Sequence, residues 1–114
     1  MPALVYKIVT ETQWREAQAA GVFAGAPVDR ADGYIHLSDA GQVAETAAKH
    51  FAGARDLLLV AIEAAALGDA LKWEPSRGGA LFPHLYAPLP VAAALWVRPL
   101  PLGLDGRHAF PELA

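Results

Sequence analysis

Apolar and polar positions alternate in two short stretches of the chain, and each stretch sets a single histidine among apolar neighbours. In Asp32-Gly33-Tyr34-Ile35-His36-Leu37-Ser38, an extended backbone puts Tyr34, His36 and Ser38 on one face and Ile35 and Leu37 on the other. In Phe82-Pro83-His84-Leu85-Tyr86 the same count gives Phe82, His84 and Tyr86 a common face. Buried polar side chains cost free energy unless they find partners. A sheet that spends core-adjacent positions on Tyr, His and Ser is therefore expected to line a polar pocket.

The pattern around these stretches predicts the remaining elements. Residues 4–9 (LVYKIV) read as a strand, rich in β-branched and aromatic types. Thr10 and Gln13 have capping-box spacing, which opens a helix running to about Ala20 and stopped by Gly21. Its core-facing residues are Trp14 and Ala17, with Arg15, Glu16 and Gln18 outside. Residues 22–30, with Gly25 and Pro27, read as an irregular loop, and Asp32-Gly33 as the turn into the Tyr34–Ser38 strand. Ser38 or Asp39 caps a second helix with Gln42 three residues after Asp39, ending before Gly53; Val43, Ala47 and Phe51 form its apolar stripe.

Residues 56–63 contain the continuous apolar run LLLVAI, the mark of a strand buried on both faces. A turn or helical piece over 64–69 leads to a short alternating strand over 71–74, then to the loop Pro75-Ser76-Arg77-Gly78-Gly79. After the His84 strand and Ala87-Pro88-Leu89-Pro90, a last strand covers about 92–98, and Phe110 is expected to tuck back from the tail. The sum is an α+β fold: two helices near the N-terminus and a mostly antiparallel sheet, in one domain over 1–114.

Composition narrows the partners. Apolar residues make up 54% and charged residues 18% of 114 residues, which suits a chain burying roughly two-thirds of its unfolded surface. The nine Lys and Arg are scattered singly and the net charge is −3, so no basic stripe for duplex nucleic acid exists. The absence of cysteine excludes disulfides, a thiol nucleophile and a Cys-based zinc site. No apolar run approaches the ~18 residues of a membrane span, and no basic-then-apolar leader is present, so the expected compartment is the cytosol. The apolar stretch LFPHLYAPLPVAAALWV fits a homodimer interface or a buried strand pair equally well.

The candidate chemistry sits on the two histidine strands. With a helix cap at Ser38–Asp39, the pocket of His36 would also see a helix N-terminus, which favours an anionic or phosphorylated ligand. His36 could bond a ribose hydroxyl, act as acid or base, or ligate a metal; the alternative is a core histidine satisfied by a carbonyl. Pro83 lacks a ladder donor, which places His84 at a sheet edge or opening, over a flat heterocycle or tucked in a turn. Glu74 shares a strand face with Lys72 and reads either as a solvated partner of that lysine or as a catalytic carboxylate. Arg77 sits in a glycine loop able to close on an anion, Asp32 reads as a turn former, and His50 and His108 as surface residues. No GxGxxG, Walker, HExxH or GxSxG motif occurs. The two histidines with Glu74 or Asp32 would suffice for a two-His-one-carboxylate metal site.

Tyr6-Lys7-Ile8, Trp14, Gly21 with Phe23-Ala24-Gly25, the Asp32–Ser38 string, Phe51 and the Phe82–Tyr86 string followed by Pro88-Leu89-Pro90 resemble the bacterial domain-of-unknown-function 952 family. The resemblance reaches to about Val97, with Ala87 where a glycine is expected. That family is similar to a compact ADP-ribosyltransferase, whose split sheet binds NAD. The resemblance implies that His36 holds a ribose, that Tyr86 or Phe82 stacks on the ligand, and that Glu74 is the catalytic carboxylate. In the His-Tyr-Glu class of those enzymes the residues occur in that order, whereas here Glu74 precedes Phe82 and Tyr86. The constellation is either rearranged or no longer catalytic.

The leading reading is a binder of NAD or a related nucleotide or ribosyl phosphate through Tyr34, His36, Ser38, Arg77, Phe82, His84 and Tyr86. Transfer or hydrolysis at the glycosidic carbon would run through Glu74, with NAD as substrate rather than resident cofactor. The alternatives are a non-catalytic small-ligand module and a metal-dependent hydrolase or isomerase using both histidines. Whether Glu74 reaches the cleft of His36 separates the first two.

Overall fold

Thr10 ends one element and starts the next with the same side chain. In the computed structural model, which describes residues 3–113, strand β1 (Leu4–Thr10) runs straight into helix α1 (Glu11–Ala20). The Gln13 N–H donates to Thr10 Oγ1 at 3.0 Å, and the Thr10 N–H donates back to Gln13 Oε1 at 2.9 Å. Gly21 (φ +84°) closes the helix in the left-handed region, where a side chain would be strained. Trp14 and Ala17 are buried and Arg15, Glu16 and Gln18 exposed, as the periodicity predicts.

The chain continues through β2 (Val22–Phe23), α2 (Pro27–Asp32), β3 (Ile35–His36), α3 (Val43–His50), β4 (Leu57–Glu63), β5 (Leu71–Ser76), β6 (Ala80–Leu85), β7 (Leu89–Pro90) and β8 (Ala94–Pro99). The sheets run β1-β4-β8, β3-β6-β5 and β2-β7, and every strand pairing is antiparallel. Among the described residues a single bridge, Tyr6 to Ser38, joins the two three-stranded sheets: the Tyr6 N–H donates to the Ser38 carbonyl at 2.7 Å, and the Ser38 N–H donates to the Tyr6 carbonyl at 3.0 Å. The structure is thus α+β with mostly antiparallel sheets and few helices.

β4 is the middle strand of the first sheet, with Leu59, Val60, Ala61 and Ile62 fully buried, which explains its unbroken apolar run. Two-residue alternation sends β1 and β4 into two cores. Val5, Val9, Val60 and Ile62 pack with Trp14, Phe23, Ile35, Leu37, Leu85 and Leu89. On the other side Tyr6, Ile8, Leu59 and Ala61 meet Val43 and Ala47 of α3 and Leu100. Phe51 and Phe110 pack on this second core, so the tail does fold back. Among the described residues, no helix is long and apolar enough to cross a membrane.

Four local expectations are corrected. The segment read as a loop contains α2, so the described residues of the first half carry three α-helices rather than two. The regular part of the His36 strand is only two residues long, because the chain leaves β6 after His36 and Ser38 crosses to β1. β5 extends through Pro75 to Ser76, leaving Arg77-Gly78-Gly79 as the turn; the Arg77 side chain lies outside the described residues. β6, with Pro83 in it, is the middle strand of its sheet and not an edge. The Leu37 N–H donates to the Pro83 carbonyl at 3.0 Å, and Pro83 has no N–H to return. Regular pairing with β3 stops at that point, so the proline sits where its partner strand departs.

Candidate functional site

The site begins with helix α2. Pro27 supplies a fixed φ at the first turn, and Asp29 reaches back so that its Oδ2 accepts the Ala26 N–H at 2.8 Å. Gly33 (φ +88°) ends the helix, and its N–H donates to the Asp29 carbonyl at 2.9 Å. That left-handed turn delivers Tyr34 and then His36 beside the Asp29 side chain. Asp29 Oδ1 accepts the His36 backbone N–H at 3.0 Å and lies 2.6 Å from His36 Nδ1.

From the neighbouring sheet, Lys7 of β1 enters the same cluster. Its Nζ lies 3.0 Å from Asp29 Oδ2 and donates to the His36 carbonyl at 3.0 Å. Lys7 and Asp29 are both buried. Burial alone would raise the Asp29 carboxyl, but the His36 side-chain hydrogen bond, the Lys7 charge and two backbone N–H groups hold it well below the usual carboxylate range. Burial lowers the Lys7 ammonium against the opposing pull of Asp29. The other ring nitrogen of His36, Nε2, lies 2.9 Å from Oδ2 of Asp32. Each ring nitrogen of His36 therefore faces a carboxylate oxygen.

β6 faces this cluster in register: His84 is the Cα partner of His36 on one side and of Lys72 on the other. His84 Nδ1 lies 2.8 Å from Glu74 Oε1, and the Tyr86 hydroxyl donates to the same oxygen at 2.8 Å. The hydrogen bond from His84 and then that from Tyr86 hold the Glu74 carboxyl below its ordinary value, and the Lys72 charge adds to them. Donation to Glu74 pushes the Tyr86 phenol up. The Tyr34 ring joins both halves: it stacks on His84 at 4.1 Å and 29°, 4.6 Å from the His36 ring and 5.3 Å from that of Tyr86. Burial pushes its phenol up, helped by the charges of Asp32 and Glu74.

Tyr34, His36, Glu74, His84 and Tyr86 therefore come together on one face, with Glu74 linked to His36 through His84, whose ring lies 5.8 Å from that of His36. A cavity of about 260 Å³ opens beside them, lined by Asp29, Arg30, Tyr34 and Tyr86 among others. Ser38 goes elsewhere: it is buried, and its hydroxyl bonds Thr46 of α3 at 2.9 Å, which fastens that helix. Phe82 is buried opposite Glu74 in the β5–β6 register. The helix terminus expected beside His36 is displaced. α3 starts only at Val43, and a turn in which the Asp39 carbonyl accepts the Gln42 and Val43 N–H groups precedes it.

Glu74, read either as a solvated partner of Lys72 or as a catalytic carboxylate, is hydrogen-bonded to His84 and Tyr86. Asp32 ends α2 and bonds His36 instead of merely forming a turn. His108 is half-buried, with Nε2 2.8 Å from the Ala54 carbonyl, whereas His50 is exposed. Among the described residues no three His, Asp or Glu side chains converge as metal ligands. Lys7 and Asp29 are the residues that sequence reasoning missed. A proline followed two positions later by an acidic residue is a helix-start signal, and it would have flagged Asp29.

The chain superimposes on the crystal structure of protein CC0527 from Caulobacter crescentus with a TM-score of 0.90, at 52% identity over 93% of each chain. The solution NMR structure of CC0527 gives a TM-score of 0.83 at 53% identity, over 91% of this chain and 90% of that one. No curated protein matches the chain. The family described as "protein of unknown function (DUF952)" matches residues 8–97.

Proposed function

The chain belongs to the DUF952 family, and we propose that its histidine–tyrosine face binds NAD or a related nucleotide bearing a ribosyl phosphate, on an ADP-ribosyltransferase-like scaffold. The observation that carries this reading is the Glu74 carboxylate, gripped by His84 and Tyr86 on the face that also presents His36. Along the chain Glu74 precedes Tyr86. Across the sheet, however, the order β3-β6-β5 runs from His36 through His84 to Glu74, and Tyr86, one residue past β6, bonds Glu74, which suits a His-Tyr-Glu sequence in space. Two three-stranded sheets joined by one bridge also fit a split-sheet scaffold.

In this reading His36 meets the ligand at its ribosyl phosphate and the exposed Tyr86 offers a ring for stacking. Glu74 accepts the ribose 2′-hydroxyl and stabilises positive charge on the glycosidic carbon as nicotinamide leaves. A second reading, binding without turnover, is favoured by one detail. Glu74 Oε1 accepts two hydrogen bonds at once, which weakens it as a base.

Thermal unfolding with NAD, run beside His36→Gln, is the test. A ligand at about a hundred times its Kd adds roughly 2.7 kcal/mol to stability. A melting shift in the wild type that is lost in the variant supports binding, and nicotinamide release abolished by Glu74→Gln supports turnover. A shift without release selects the binding module. No shift at millimolar NAD overturns the proposal.

A further inference from the structure

His36 carries a carboxylate on each ring nitrogen, and the two carboxylates differ in kind. Asp29 on Nδ1 is buried, with its side chain 1% exposed, and bonds Lys7 and two backbone N–H groups; its place is fixed by the fold. Asp32 on Nε2 has its side chain 46% exposed, comes from the last residue of α2, and is tied among the described residues to His36 alone. Rotation of that side chain uncovers Nε2 with no movement of the backbone. The Tyr34 ring lies 4.6 Å from that of His36, and the Asp32 charge helps to push its phenol up. Arg30, exposed on the same helix, lines the cavity beside Tyr34.

We propose that Asp32 is an internal placeholder, its carboxylate holding the position on His36 Nε2 that a phosphate oxygen of the ligand takes when it binds. The inference rests on the reading that a phosphate-bearing ligand enters at the His36 face, and it adds which group meets His36 and what that group displaces. Asp29 is held by Lys7 and by His36 Nδ1, so Nε2 is the ring nitrogen left to meet a further oxygen, and Asp32 supplies that oxygen until another arrives. An exposed pair of this kind is weak, so displacement lowers ligand affinity only about two- to five-fold.

The experiment uses protein labelled with ¹⁵N in its histidine rings and titrated with inorganic phosphate, then with NAD, for the wild type, Asp32→Asn, His36→Gln and the double variant. The expected result is a phosphate-dependent shift of the His36 Nε2 resonance and binding at least about two-fold tighter in Asp32→Asn. That gain should vanish in the His36→Gln background, whose folding is checked by its melting curve. A gain that persists without His36 is general charge repulsion and overturns the placeholder. So does a His36 resonance indifferent to phosphate in both the wild type and Asp32→Asn, whose exposed position makes it safe to fold. If phosphate behaves as expected while NAD moves nothing, the NAD reading fails and the placeholder stands.

Discussion

His36 and His84 face each other across β3 and β6, and each is tied to a carboxylate, yet the two pairs are built in opposite senses. At His36 the ring is 33% exposed and its Asp29 partner 1%. At His84 the ring is 5% exposed and its Glu74 partner 39%. A buried carboxylate serves the fold: it collects donors that no water could satisfy and so orients the ring beside it. An exposed carboxylate, steadied by a buried ring, is available to something outside. The difference predicts that the first pair governs stability and the second governs chemistry.

Substitutions at the two carboxylates should separate those roles most sharply. Asp29→Ala strands Lys7 as an uncompensated buried charge and leaves the Ala26 and His36 N–H groups without an acceptor; a loss of about 3–5 kcal/mol is expected in urea unfolding. Removing both charges with Lys7→Met and Asp29→Leu should cost less than Asp29→Ala alone, because no lone ion remains. Glu74→Gln should leave the urea midpoint close to the wild type. On the proposed reading the variant still binds NAD, while nicotinamide release falls by about 10²–10³-fold.

The same contrast has a pH signature. Asp29 is held below its unfolded-state value of about 4, so its contribution is complete above that pH and disappears as pH falls toward the native value. Midpoints of urea unfolding measured down an acid series should therefore fall for the wild type and stay flatter for Asp29→Asn. Glu74 is shifted the same way, but its exposure means that Glu74→Gln should barely change that slope.

Smaller effects test the hinge between the pairs. Gly33 sits at φ +88° with open space where a Cβ would stand, so Gly33→Ala costs only the backbone penalty, about 1–2 kcal/mol. Tyr34→Leu keeps apolar cover over His84 but removes the stack. It should cost about 0.5–1.5 kcal/mol and free the His84 ring, read as faster exchange of its ring protons.

The two regions also differ in how far they were legible. Thr10, Gln13 and Gly21 fix both ends of α1 through bonds between residues a few positions apart, and the run Leu57–Ile62 declares a doubly buried strand by composition alone. The two histidine faces were legible for the same reason, since alternation within a strand is local. α2 escaped because Gly25 and Pro27 read as breakers, although proline at a helix start is compatible with helix. Pro83 misled because its neighbour β3 ends at His36, a fact about another strand.

The sequence by itself determined the elements whose signals are short-range: the capped first helix, the buried central strand, and the alternation that turns Tyr34, His36, His84 and Tyr86 to one side. Tertiary structure decided which of those side chains meet. Lys7 and Asp29 lie 22 residues apart and Glu74 and His84 ten, and only the reach of the Lys7 side chain from β1 to α2 and the pairing of β5 with β6 bring each pair within a hydrogen bond. A buried charge must find its partner wherever the fold supplies one, and that requirement leaves no periodic mark along the chain.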